Sequence, residues 1–275
     1  MPLLNQISVL AALVLLTVFR TALAAEESPA IEQAWEKASL LLTSEAYDDF
    51  VQIRKAGKSP REAAFGVALM LLNKQPKTDG NLDKAAGLFE QISESGDDDL
   101  AMLAGYFRAR IEQVHRRTQN PGKAVELFTK LIERHPEHPF AQFAAVKRSM
   151  IDIYDDSPIE SKRQRLAALE IAADGMTHPP AKRDMQLLIA DSYVRLFQDD
   201  GQALKHLLEA DAIGITRAKP RADVWLRIAE LARLLGKNDV AAIYYRKFLK
   251  EFQRDNRHYT IEERLKELGA KGAAE

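Results

Sequence analysis

Between Ile31 and Leu268 the chain is a succession of stretches whose apolar residues recur at i, i+3, i+4 and i+7. That spacing puts them on one face of a helix. The stretches are separated by short breaks rich in proline, glycine, aspartate and asparagine. These are Lys58-Ser59-Pro60, Gln75 to Gly80, Gly96 to Asp99, Asn120-Pro121-Gly122, His135-Pro136, Pro179-Pro180 and Lys219-Pro220. Such residues start a helix, stop it or turn the chain. No alternating β-branched run of useful length occurs. The pattern predicts about thirteen helices and no sheet, with turns short enough to make neighbours antiparallel. Its first two helices run over 31–43 and 45–57, its last over 261–268.

The helices repeat in pairs. In WLRIAELARLLGKNDVAAIYYRKFLKEF, Trp225 to Phe252, the residues Trp225, Ile228 and Ala229 form one apolar set and Ala241, Tyr245 and Phe248 form a second. Gly236 breaks the chain between them. Small Ala229 and Ala241 let the two helices approach, and the aromatic rings fill the space beside them. The second set recurs as Ala85-Phe89-Ile92, Ala124-Phe128-Leu131, Ala203-Leu207-Ala210 and, more weakly, Ala167-Ile171. The first recurs as Phe65-Gly66-Leu69, Leu100-Leu103-Ala104-Phe107, Phe140-Phe143-Ala144 and Ile189-Ala190-Tyr193. Successive alanines of the second set lie 39, 43, 36 and 38 residues apart. A period in this range signifies a stack of helix pairs, each burying its apolar face on the next. Tyr244 and Phe252 are expected near an exposed end of that stack.

These residues resemble the tetratricopeptide repeat. In WLRIAELARLLGKNDVAAIYYRKF, Trp225, Ile228, Ala229, Gly236, Ala241 and Tyr245 match its preferred residue types at its spacing. PGKAVELFTKLIERHP resembles its second helix, down to the closing Pro136. The resemblance extends over roughly 59–256. It departs in period, which exceeds the usual ~34 residues, and in the poor copy near 160–175. It implies an all-α fold, a right-handed α-solenoid of antiparallel helix pairs with about five repeats. Residues 58–256 would form the repeats, 25–57 an N-terminal cap, and 257–275 a C-terminal capping helix and frayed tail.

Composition changes the picture at the N-terminus. The apolar run from Ile7 to Phe19 is too short to span a bilayer comfortably, and Ala22-Leu23-Ala24 fits the small-x-small pattern of a signal peptide. The reading is therefore a signal over 1–24, cleaved between Ala24 and Ala25, and an exported protein of the bacterial periplasm. The leader's MPLLNQ lacks lysine and arginine, and retention of 1–24 would instead leave a membrane anchor. With 39 basic and 40 acidic residues the chain has no basic excess for nucleic acid. The absence of cysteine excludes disulfides, thiolate metal sites and cysteine nucleophiles.

Candidate chemistry is sparse. His135 and His138 sit beside prolines in a turn, with no third ligand at metal spacing. Asp97-Asp98-Asp99 opens a helix, where carboxylates cap amides and suit the dipole. Asp79-Gly80-Asn81-Leu82-Asp83 lacks the downstream bidentate glutamate of a calcium loop. No nucleophile elbow, phosphate loop or dinucleotide fingerprint is found. The chain reads as a non-enzyme without cofactor or metal.

The resemblance implies a concave groove lined by the first helix of each pair. Its layout places Arg108, Arg148, Asp191, Arg195, Leu226, Glu230 and Arg233 on that side. Arg108, Arg148, Arg195 and Arg233 recur near the ends of four first helices, a ladder suited to an extended acidic peptide. The function that follows is an exported scaffold binding a protein or peptide partner. A cell-envelope enzyme acting on peptidoglycan or another glycan, and a membrane-tethered assembly factor, stand as alternatives.

Overall fold

The computed structural model describes residues 29–272, with side-chain surroundings through Gly269. The segment 1–24 read as a signal, and the cleavage point expected at Ala24 and Ala25, lie outside the described residues. All regular structure among the described residues is helical. Thirteen α-helices follow one another: α1 (Pro29–Ser39), α2 (Thr43–Lys55), α3 (Pro60–Asn73), α4 (Asp79–Glu94), α5 (Asp99–Arg110), α6 (Pro121–Arg134), α7 (Pro139–Ile153), α8 (Ile159–Gly175), α9 (Pro179–Ser192), α10 (Asp200–Ile213), α11 (Ala218–Leu234), α12 (Asn238–Glu251) and α13 (His258–Gly272). The chain divides into two compact units, Met1–Ile151 and Asp152–Glu275.

Local sequence accounts for most helix starts. Thr78, Asp98, Asn120 and Asp199 each accept a hydrogen bond from the backbone N–H three residues on, at 2.9 to 3.2 Å. These side chains satisfy amides that a helix start leaves open. Pro60, Pro121 and Pro179 stand at first positions, where the missing N–H costs nothing. Lys219-Pro220 proves to lie inside the first turn of α11 and does not break it. Proline is tolerated in a first turn for the same reason. Gly57 and Gly236 end α2 and α11 with φ of +71° and +69°, a conformation that favours glycine.

In the first unit each helix from α2 to α6 packs on its predecessor. An aromatic ladder runs through this core. Trp35 meets Phe50 edge-on at 4.6 Å, Phe65 meets Phe89 at 5.4 Å, and Phe89 stacks on Phe107 at 5.6 Å. These are favourable aromatic geometries. In the second unit α9 to α13 also pack in succession. Ala229 and Ala241 are fully buried, as are Ile228, Tyr245 and Phe248. The small-plus-aromatic pairing read from the sequence is thus the core of this hairpin.

Two of the first helices are prolonged beyond their α-helical stretch. The first helix of two pairs runs on into a five-residue π-helical turn, Ile111–His115 after α5 and Tyr193–Phe197 after α9. Each turn adds residues before the next helix starts, while leaving the buried alanine of that helix in register. α11, with seventeen residues, reaches the same end as plain α-helix.

Candidate functional site

The second unit carries a polar seam of two nodes, which meet α11 at Arg227 and Glu230. Its first node is Asp191 on α9. Its Oδ2 accepts hydrogen bonds from Tyr154 Oη at 3.1 Å and Arg195 Nε at 2.7 Å, and its Oδ1 accepts from Arg227 Nη2 at 3.3 Å. Burial pushes the Tyr154 hydroxyl up to about 12, so it remains a donor.

The second node is Glu230, one helical turn beyond Arg227 on α11. Tyr245 Oη of α12 donates to its Oε1 at 2.6 Å, and Arg233 Nη2 donates to its Oε2 at 3.1 Å. Arg264 Nη1 of α13 donates to the same Oε2. Burial, followed by the hydrogen bond to Glu230, pushes Tyr245 up to about 12.

The seam is cation-rich. Four guanidinium groups, those of Arg195, Arg227, Arg233 and Arg264, face two carboxylates, Asp191 and Glu230. Together they make five hydrogen bonds to those carboxylates. Each guanidinium carries five N–H donors, so most of the donor capacity remains for other acceptors. Arg195 is the most open, with 51 % of its side chain exposed. The arrangement suits planar anions, which guanidinium groups engage two bonds at a time.

In the first unit the corresponding arginine is already committed. Arg108 donates to Glu112 at 2.7 Å and is only 13 % exposed. Burial pushes the Glu112 carboxyl up, but hydrogen bonds from Arg116 and Arg108 outweigh it and hold the group below its usual range. Arg116 reaches on to Asp83 at 2.9 Å. Arg148, on α7, has a partner as well.

The acidic triplet is a clasp between helices. Arg61 of α3 grips Asp98 bidentately, at 2.6 and 3.0 Å. Arg134 at the end of α6 holds Asp97 at 2.6 Å and the Ser93 carbonyl at 2.7 Å. His135 approaches Asp97 at 3.2 Å and His138 approaches Asp99 at 3.0 Å. These two histidines therefore serve the turn, and no group of metal-ligating side chains occurs among the described residues.

The tetratricopeptide repeat family model matches residues 223–254, the α11–α12 hairpin that carries Glu230, Arg233 and Tyr245. This hairpin is a tetratricopeptide repeat. No curated protein matches the chain. Among solved structures, a tetratricopeptide repeat protein of Thermus thermophilus is 20 % identical, with 76 % of this chain and 98 % of that one covered and a TM-score of 0.46. A tetratricopeptide repeat protein of Parabacteroides merdae is 14 % identical over 94 % of this chain and 92 % of its own, with a TM-score of 0.48. A chain of the Cut9–Hcn1 hetero-tetramer of the APC/C is 13 % identical, with a TM-score of 0.49. That match covers 94 % of this chain and 46 % of the other. Stacked repeats of this kind mediate protein–protein interaction through their extended inner surfaces.

The residues selected from the sequence fall into three groups. Arg195, Glu230 and Arg233 lie on the seam, Glu230 and Arg233 within the tetratricopeptide repeat itself. Arg108 and Arg148 belong to the other unit. Leu226 is buried in the repeat's core, because its neighbours on α11 turn the polar side outward. Arg227, Arg264, Tyr154 and Tyr245 join the site only in the structure. Helical spacing offers a signal for Arg227, which shares a face with Glu230. Tyr244, expected near an exposed repeat end, is buried with its hydroxyl on Asp211 at 2.8 Å.

Proposed function

We propose that the protein is an exported scaffold of the bacterial periplasm that binds an acidic segment of a protein partner along the arginine seam of its second unit. The observation that carries this reading is the excess of guanidinium over carboxylate at the two nodes around Asp191 and Glu230. The two carboxylates hold the arginines in place, so little side-chain freedom is lost when a ligand docks. Asp and Glu side chains of an extended segment would take the free edges of Arg195, Arg227 and Arg233. Export rests on the apolar run and small residues of 1–24. Retention of that segment would keep the same scaffold at the membrane surface.

The test is crosslinking in intact cells, with recovery of the tagged protein and mass spectrometry. An envelope protein enriched by the wild type and lost from an Arg195→Glu, Arg233→Glu variant supports the reading. Partners that persist in that variant place binding elsewhere.

A further inference from the structure

An open cavity of about 790 Å³ lies in the second unit, between the first turns of α11 and the segment that joins α12 to α13. Three carboxylates line it, those of Asp223, Glu251 and Asp255, and each is already held. Arg257 donates from Nη1 to Asp223 Oδ1 at 2.6 Å, and from Nε and Nη2 to the two oxygens of Asp255 at 2.8 Å. Arg221 donates from Nε to Glu251 Oε1 at 2.9 Å.

Three further cations line the same cavity, Lys219, Lys250 and Arg254. All three are exposed, and no carboxylate pairs with any of them among the described residues. With Arg221 and Arg257, five cations stand against three carboxylates, an excess of two positive charges. The chain as a whole has a net charge of -1. A concavity lined by one sign of charge concentrates the field and draws in the opposite ion.

We propose that this cavity binds the phosphate group of a phosphate monoester. Such a group carries nearly two negative charges at neutral pH and three acceptor oxygens, so it balances an excess that one carboxylate would leave half unmet. Two ammonium groups beside a guanidinium suit a tetrahedral oxyanion, because an ammonium is a point charge without the guanidinium's match to planar partners. The cavity is far larger than a phosphate group and of a size that holds small organic molecules. Phe252, half-buried and edge-on to Trp225 at 5.8 Å, supplies an apolar wall for the group that bears the phosphate. The ester is either a small soluble molecule or the head group of a lipid. The site shares no residue with the nodes around Asp191 and Glu230.

The probe is phenyl phosphate, followed by 31P NMR at pH 7 and constant ionic strength. Saturable broadening of its resonance is expected, reversed by glycerol phosphate and not by benzoate at the same concentration. A Lys219→Gln, Arg254→Gln variant, changed at two exposed positions, should melt as the wild type does and bind at least tenfold more weakly. Lys250→Gln, tested alone, decides the matter should the double variant melt lower. An Arg195→Ala, Arg233→Ala variant should bind as the wild type does. Displacement by dihexanoyl phosphatidic acid well below the concentration needed of glycerol phosphate assigns the ester to a lipid, and equal displacement assigns it to a soluble molecule. Absence of saturable broadening, equal displacement by benzoate, or undiminished binding by the cavity variants overturns the proposal.

Discussion

Arg264 of the last helix and Tyr245 of the penultimate one donate to the two oxygens of a single carboxylate, that of Glu230 on α11. One side chain therefore ties three helices together at the end of the second unit. Glu230→Gln would remove the charge that both arginines and the tyrosine answer. The expected loss is about 1–2 kcal/mol of unfolding free energy, the worth of hydrogen bonds to a charged and partly exposed group. Urea denaturation measures it. A double-mutant cycle with Arg264→Met should show the two effects to be coupled.

Gly66 and Gly87 predict opposite outcomes for the same substitution. A Cβ at Gly66 would lie 2.5 to 2.6 Å from the Phe50 ring, which Trp35 backs at 4.6 Å. Gly66→Ala should destabilise by about 1–3 kcal/mol through overpacking, despite alanine's better helix propensity. A Cβ at Gly87, in α4, meets nothing within 4 Å. Gly87→Ala should stabilise by about 0.5–1 kcal/mol. Equal effects at the two positions would contradict the packing described.

Asp211 accepts from Trp225 Nε1 at 2.7 Å and from Tyr244 Oη at 2.8 Å, with Lys247 nearby at 3.6 Å. Asp211→Ala would leave both aromatic donors without their acceptor. We expect destabilisation of about 2–4 kcal/mol, roughly 1–2 for each stranded donor. In a Trp35→Phe background the Trp225 emission maximum should move with it, because the indole loses its anionic neighbour. An unchanged spectrum and melting temperature would contradict the contact.

Helix pairs and caps are written locally and so are legible in the sequence. The apolar period locates the hairpins, and Thr78, Asp98, Asn120 and Asp199 announce helix starts that they do cap. What is not legible depends on which helices meet. Arg264 looks like any surface arginine until α13 sets it against α11. The π turns at Ile111–His115 and Tyr193–Phe197 leave no local signature, and the second of them carries Arg195. Local reasoning makes Asp97–Asp99 a set of caps. Asp98 is one, but Asp98 and Asp97 also receive guanidinium groups from other helices, and Asp99 meets the His138 ring.

Acid should loosen the chain at specific carboxylates. Hydrogen bonds from Arg257 hold Asp255 at about 2, against 3.8 unperturbed, and those from His135 and Arg134 hold Asp97 below the same reference. A depressed carboxylate contributes stability that is present above its unfolded value and lost as pH falls through the folded one. Melting temperature should therefore fall between about pH 4 and pH 2. The fall should be shallower in Asp255→Asn, which is already weakened at neutral pH. A parallel pH profile in that variant would contradict the assignment.

Fluorescence anisotropy with two labelled, end-blocked peptides of the same length reads binding along the arginine seam. One is rich in Asp and Glu, and the other carries Asn and Gln in their place. The account predicts binding of the acidic peptide alone, weakened by salt and reduced at least fivefold in an Arg195→Ala, Arg233→Ala variant that melts as the wild type does. Equal binding of the two peptides, or undiminished binding by the variant, would contradict it.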